Sequence, residues 1–169
     1  GFGGNAKTWI NTKPELPQIA DEKGIIFVCP DGKNTWYWDS PKNKDVRYET
    51  FISSELIKYI DGHYKTVAAP RGRAITGLSM GGHGALWNAI RHTDVFGAAG
   101  STSGGVDIRP FPKNWMMPEQ LGEMETNKEV WDQHTVINQV DKLRKDDLAM
   151  IIDCGEADFF LDVNKNLHK

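Results

Sequence analysis

The chain lacks most of the features that mark specialised classes of protein. Among its 169 residues are only 2 cysteines, and 20 lysines and arginines against 23 aspartates and glutamates give a formal net charge of −3. Without a basic excess or a Lys/Arg cluster, nucleic acid is not an expected partner. No apolar run approaches the roughly 18 residues of a membrane span. With 39% hydrophobic residues the composition is that of an ordinary globular chain, and we expect one domain over residues 1–169.

The cysteines and histidines offer neither a disulfide framework nor a metal site. Cys29 and Cys154 each follow an apolar, strand-like run. Two separated parallel strands would hold their Cα atoms beyond the roughly 7 Å that a disulfide permits, so we expect two free, buried thiols. No histidine pair has the spacing of metal ligands, and neither a metal nor an organic cofactor is expected.

Short apolar runs alternate with helical periodicities, which predicts a parallel α/β sheet. Strands are expected at residues 24–29, 72–78, 96–101 and 150–153, and helices at residues 48–63 and from about residue 159 onward. Two long loops, residues 31–46 and 104–127, follow the carboxyl ends of strands. Open α/β sheets bind their ligands at that edge.

The motif with the clearest chemistry is the pentapeptide G-L-S-M-G at residues 77–81, between a predicted strand and a predicted helix. The G-x-S-x-G pattern is typical of a nucleophile elbow, which would project the Ser79 hydroxyl above the sheet edge. Side chains in place of Gly77 and Gly81 are expected to collide with the packed strand and helix. The Met80 N–H would face a developing oxyanion. The alternative is a glycine-rich turn that serves close packing alone.

A serine hydrolase also needs an acid, a base and a second oxyanion donor. Asp158 follows the last predicted strand and suits the order Ser, Asp, His, although a helix N-cap is the alternative role. The Phe2 N–H, in a glycine-rich loop, is the best second donor unless that segment is merely flexible. None of the five histidines is a convincing base: His63, His83, His92, His134 and His168. His83 is expected to be a packing residue or a polar group on a helix face rather than a base, and His168 shares a predicted helix with the segment after Asp158.

Three aromatic residues in the two long loops, Trp36, Tyr37 and Trp115, could stack on a sugar or an aromatic acyl group. Loop anchoring in the core is the alternative, and for Trp36 it has at least equal weight.

Together, residues 1–5, 30–41, 48–56, 77–86 and 152–158 resemble the esterase D-like branch of the α/β hydrolases. That branch includes feruloyl and acetyl-xylan esterases, S-formylglutathione hydrolases, tributyrin esterases and antigen 85 mycolyltransferases. The resemblance implies a three-layer sandwich with a mostly parallel sheet, Ser79 as nucleophile, Asp158 as acid, and the N–H groups of Met80 and Phe2 as oxyanion donors. The leading strands and the histidine-bearing C-terminal segment of the family have no counterpart here. We therefore expect an esterase domain truncated at both ends.

The expected function is hydrolysis of acyl esters of carbohydrates, of the feruloyl or acetyl-xylan type, or of small acyl esters. S-formylglutathione hydrolysis and acyl transfer remain alternatives. A non-catalytic carbohydrate-binding module on a hydrolase scaffold is the alternative of another class. A carbohydrate esterase would favour secretion or the cell envelope, and S-formylglutathione hydrolysis the cytoplasm.

Overall fold

A computed structural model describes the whole of Gly1–Lys169. Its sheet has three strands: β1 (Ala74–Leu78), β2 (Ala98–Thr102) and β3 (Ala149–Asp153). They are parallel and adjacent in the order β1-β2-β3. The register sets Leu78 opposite Thr102 and Thr102 opposite Asp153, so the carboxyl ends of all three strands meet at one edge. The loops that follow the strands therefore converge there.

Helices connect and flank the strands. The α-helices are α1 (Thr8–Thr12), α2 (Leu16–Lys23), α3 (Tyr48–Thr50), α4 (Leu56–His63), α5 (Met80–Arg91), α6 (Met117–Leu121), α7 (Lys128–Gln133) and α8 (Leu161–His168). A π-helical segment, Phe51–Glu55, joins α3 to α4, and 3-10 turns lie at Pro70–Gly72 and Val136–Lys142. No helix has the length and apolar character needed to cross a membrane.

Helix α5 is the central element of the core. It packs against β1 and β2, and it is buried almost continuously from Gly82 to Ile90. A helix buried on nearly every side must be covered by more than the sheet. The additional cover comes from Trp36 and Trp38, each at most 1% exposed and packed edge-on against His83 of α5, and from the 3-10 segment Val136–Lys142. The turn at Ser79 thus leads into the most deeply buried helix of the chain.

The prediction of a parallel α/β sheet is confirmed, with strand bounds shifted by one or two residues. The helix predicted at residues 48–63 is also confirmed, although its middle is π-helical. The helix expected from about residue 159 is confirmed as α8. Cys29 and Cys154 are free, as expected, but each is half-buried rather than buried.

The strand predicted at residues 24–29 is wrong. Residues 25–28 form no regular element, and their side chains are 41–48% exposed. The apolar pattern was interpreted as a fully buried strand, but strand geometry also requires a hydrogen-bonded neighbour. In this structure the sheet ends at β1 and β3, so this segment pairs with neither.

Candidate active site

Ser79 lies at the turn from β1 into α5 with a strained backbone. Its φ of 58° and ψ of −117° fall where L-residues rarely lie, at a cost of about 1–3 kcal/mol. The Ser79 N–H donates to the Thr102 carbonyl of β2 (2.9 Å), and its carbonyl accepts the His83 N–H (3.0 Å). These two bonds fix the turn between the neighbouring strand and the first helical turn. This is the geometry that the elbow motif predicts.

The glycines around Ser79 are explained by contact with backbone. A Cβ at Gly77 would overlap the backbone of Gly81, and one at Gly82 would lie 2.6 Å from Ser101 Oγ and 3.0 Å from Gly104 Cα. The collision expected at Gly81 is not found, because a Cβ there would meet nothing closer than 3.8 Å. Gly77 is therefore the residue whose side chain the turn excludes, and Gly81 supplies the backbone that excludes it.

Two main-chain donors beside Ser79 have no acceptor. The N–H of Met80 begins α5, and neither it nor the N–H of Phe2 donates a hydrogen bond within the structure. The loop of residues 1–5 lies against the turn, since a Cβ on Gly1 would be 3.6 Å from Ser79 Cβ and 3.3 Å from the Leu78 carbonyl oxygen. Unpaired main-chain N–H groups can stabilise developing negative charge, so these two remain the candidate oxyanion donors.

Asp158 is half-buried in the turn between β3 and α8. Its Oδ1 accepts a hydrogen bond from the N–H of Phe160, two residues further along the chain, at 2.8 Å. This is the kind of local contact that the N-cap alternative anticipated, although α8 begins only at Leu161. No histidine bonds to Asp158, so its role as an acid stays a prediction.

His83, on the helix that follows Ser79, has its ring in the core. His83 is fully buried and bonds through Nδ1 to the Gly105 carbonyl oxygen (2.9 Å), with Trp36 and Trp38 edge-on to its ring at 5.1 Å. Burial lowers the pKa of His83 to about 4, against the opposing effect of the Gly105 hydrogen bond. The ring is therefore neutral at physiological pH, and the prediction of a packing residue is confirmed.

The rings of the other histidines are hydrogen-bonded to residues other than Ser79 or are exposed. His63 and His134 bond to the carbonyls one turn before them, His92 bonds to Glu49, and His168 is exposed at the end of α8. None of these hydrogen bonds involves Ser79 or Asp158.

Trp36 is a loop anchor and not a substrate contact. It is 1% exposed, and its Nε1–H donates to the Trp115 carbonyl oxygen at 3.1 Å. A ring enclosed in this way cannot stack on a ligand, so its placement among the substrate-binding residues is corrected. Tyr37 is half-buried and packs against the backbone of Gly84, where no Cβ would fit.

Trp115 is half-buried and stacks on Phe159, with ring centroids 5.5 Å apart and planes at 24°. Phe159 is 63% exposed, so this pair offers an accessible aromatic surface directly after Asp158. Sequence reasoning missed Phe159, for which adjacency to Asp158 was the only signal. It also missed Asn34, whose Oδ1 accepts the Gly3 N–H at 2.6 Å.

The parallel sheet, the flanking helices and the strained serine between β1 and α5 define an α/β hydrolase fold. The family model described as "Putative esterase" matches residues 4–168, and the chain belongs to that family. An esterase of Mycobacterium tuberculosis is 38% identical over 90 residues, which are 52% of this chain and 20% of that protein. A diacylglycerol acyltransferase/mycolyltransferase of Mycobacterium leprae is 38% identical over 109 residues, or 60% of this chain and 31% of that protein.

Solved structures share the fold over nearly the whole chain. A ferulic acid esterase superposes with a TM-score of 0.74 at 26% identity, covering 98% of this chain and 67% of that one. A fluorophosphonate-binding serine hydrolase of Staphylococcus aureus gives 0.84 at 19% identity, covering 99% and 66%. The chain thus spans less than half of the two curated relatives above and about two thirds of these structures.

Proposed function

We propose that this chain carries the nucleophile and oxyanion site of a serine ester hydrolase, with Ser79 as the nucleophile. The observation that carries the proposal is the strained Ser79 beside the unpaired N–H groups of Met80 and Phe2. Membership of the esterase family supports the same reaction class.

In the proposed reaction, Ser79 Oγ bonds to the ester carbonyl carbon while its proton passes to a histidine. The carbonyl oxygen becomes an oxyanion, which accepts hydrogen bonds from the N–H groups of Met80 and Phe2. The intermediate collapses, the C–O bond to the alcohol breaks, and the alcohol leaves with the proton from the histidine. Water then attacks the acyl-enzyme by the same sequence and releases the acid.

We assign the general base to a histidine outside residues 1–169 and the orienting acid to Asp158. Two observations support this. None of the hydrogen bonds made by the histidine rings of this chain reaches Ser79. Asp158 lies beyond the carboxyl end of β3, on the sheet edge where Ser79 follows β1.

For the substrate we propose an acyl ester of a carbohydrate, or a small acyl ester. The stacked Trp115 and Phe159 support a ligand with a flat face, such as a sugar ring or an aromatic acyl group. Likeness to a ferulic acid esterase favours the first class. Likeness to an acyltransferase keeps transfer to an alcohol, in place of water, as the alternative.

The test compares Ser79→Ala with Ser54→Ala in a chain extended beyond Lys169. Ser54 is a half-buried serine on the helical segment before α4, so its replacement controls for loss of a serine hydroxyl. With 4-nitrophenyl acetate we expect a burst of nitrophenol and steady turnover in the unmodified chain and in Ser54→Ala, and neither in Ser79→Ala.

Covalent capture gives a second readout. A fluorophosphonate should form a bond between phosphorus and Ser79 Oγ as fluoride leaves and the histidine takes the hydroxyl proton, and peptide mapping should locate the adduct at Ser79. Residues 1–169 alone should turn over about 10³-fold more slowly, or worse, because a triad member is missing. Absence of turnover and adduct in the extended chain, together with sugar binding, would instead establish the carbohydrate-binding module.

A further inference from the structure

The segment of residues 33–37 has an unusual backbone. Four of its five residues are non-glycine with positive φ: Lys33 (49°), Asn34 (56°), Trp36 (56°) and Tyr37 (61°). Such conformations persist only where the surroundings enforce them, and they cluster at functional sites. Here Thr35 Oγ1 donates to the Gly32 carbonyl oxygen (2.7 Å), and the buried Trp36 fixes the middle of the segment.

This segment directs the Asn34 side chain at the loop of residues 1–5. The Gly3 N–H donates to Asn34 Oδ1 at 2.6 Å, a contact between residues 31 positions apart. A Cβ on Gly3 would meet no atom within 4 Å, and its φ is +75°. Since no neighbouring atoms pack against that side of Gly3, the hydrogen bond that its N–H donates to Asn34 is the tertiary contact that holds its backbone.

The hydrogen bonds of the other N–H groups in the loop show that the Phe2 N–H is the one without an acceptor. Gly4 donates to the Gly1 carbonyl oxygen (3.0 Å), and Asn5 donates to Thr8 Oγ1 (2.9 Å). The Gly1 carbonyl and the Phe2 N–H belong to one planar trans peptide, so they point in opposite directions. Asn34 holds the next peptide, which contains the Gly3 N–H. Two consecutive peptide planes are thus fixed, and the one unpaired N–H among residues 2–5 is that of Phe2.

We infer that Asn34 is a positioning residue for ester hydrolysis: its carboxamide oxygen sets the direction of the Phe2 N–H toward the oxyanion. This inference rests on the proposed function. Asn34 does not touch the substrate, and it acts through the Gly3 peptide. Loss of the anchor should affect the transition state more than the bound ester, because the Phe2 N–H is needed most where charge develops.

The test uses three substitutions in the extended chain. Asn34→Gly removes the acceptor and tolerates the positive φ, so it adds no backbone strain. Asn34→Asp keeps an oxygen acceptor and also tolerates that conformation. Lys33→Gly is the matched control, because it loosens the same strained segment at an exposed residue and leaves Asn34 in place.

For Asn34→Gly we expect kcat to fall by about 10- to 100-fold with KM within about 3-fold of its original value. Asn34→Asp should recover most of that loss, and Lys33→Gly should show none. A kcat for Asn34→Gly equal to that of Lys33→Gly, in a protein whose turnover depends on Ser79, overturns the inference.

Amide hydrogen exchange separates this inference from the proposed function. By NMR, the Gly3 amide should exchange at least about 10-fold faster in Asn34→Gly than in Lys33→Gly, whatever the catalytic activity. Equal exchange rates of the Gly3 amide in the two variants would refute the claim that Asn34 holds the Gly3 peptide. Turnover that survives Ser79→Ala would refute the proposed function. The exchange rates would then still show whether Asn34 holds the Gly3 peptide.

Discussion

Replacing Glu49 by glutamine should destabilise the protein in a strongly pH-dependent way. The Glu49 carboxylate, 12% exposed, accepts hydrogen bonds from Trp87 Nε1 (2.9 Å) and Arg91 Nε (2.8 Å) on α5, and lies 2.9 Å from His92 Nε2 just beyond that helix. These contacts tie α3 to the far end of the helix that Ser79 begins.

The magnitude follows from the pKa of Glu49. Burial by itself raises this pKa, but the hydrogen bonds from His92 and Arg91, the charge of Arg91 and the bond from Trp87 lower it from 4.5 to about 2. That difference corresponds to roughly 3 kcal/mol of stability. Because the folded-state pKa is depressed, this stability is fully present above about pH 4.5 and is lost as the pH falls through about 2.

The assay is urea unfolding at pH 7, 5, 4 and 3. Glu49→Gln should be less stable by roughly 2–3 kcal/mol at pH 7, and the difference should shrink to about half by pH 3, as the natural chain loses its own contribution. Glu55→Gln is the control, since Glu55 is an exposed carboxylate on the same helical stretch. A difference that stays constant from pH 7 to pH 3, or that is below about 0.5 kcal/mol at pH 7, would refute this reasoning.

Two further substitutions test the turn at Ser79. Ser79→Gly should be more stable than Ser79→Ala by about 1 kcal/mol in thermal unfolding, because glycine tolerates a φ of 58° and alanine does not; equal stabilities would show that the turn is not strained. Gly77→Ala should lose at least about 2 kcal/mol to the overlap with Gly81, whereas Gly62→Ala, which meets no atom within 4 Å, should be neutral or stabilising in the same measurement.

The sequence was sufficient to predict the turn at Ser79 because its determinants are local. An apolar run, closely spaced glycines and a helix leave one way to connect β1 to α5, and the backbone of Ser79 conforms to it. The role of Gly81 was less predictable. Which of the two glycines must lack a side chain depends on how closely the backbone of Gly81 approaches Gly77. The sequence alone does not give that distance.

Long-range pairing explains the failure at residues 24–29. An apolar run reports that side chains avoid water, but a strand also needs a neighbour that donates and accepts hydrogen bonds. The same limit applies to Trp36 and Tyr37, which are adjacent in the sequence. Left-handed conformations at both residues give the two rings different exposures, and only the folded loop shows that Trp36 is enclosed and Tyr37 is half-buried.

The two parts of the proposed site differ in how they depend on the rest of the protein. The proposed oxyanion donors are backbone N–H groups of Met80 and Phe2, held by the start of α5 and by hydrogen bonds within or onto the loop of residues 1–5. Most side-chain substitutions nearby leave such donors in place, so the two N–H groups should be sensitive mainly to residues that set their peptide planes. Gly77 is one such residue through its contact with the Gly81 backbone, and we infer that Asn34 is another. A proton acceptor for Ser79, by contrast, must be a side chain placed to within hydrogen-bond distance. The proposed oxyanion site therefore depends mainly on the course of the backbone, whereas the base depends on the exact position of one side chain.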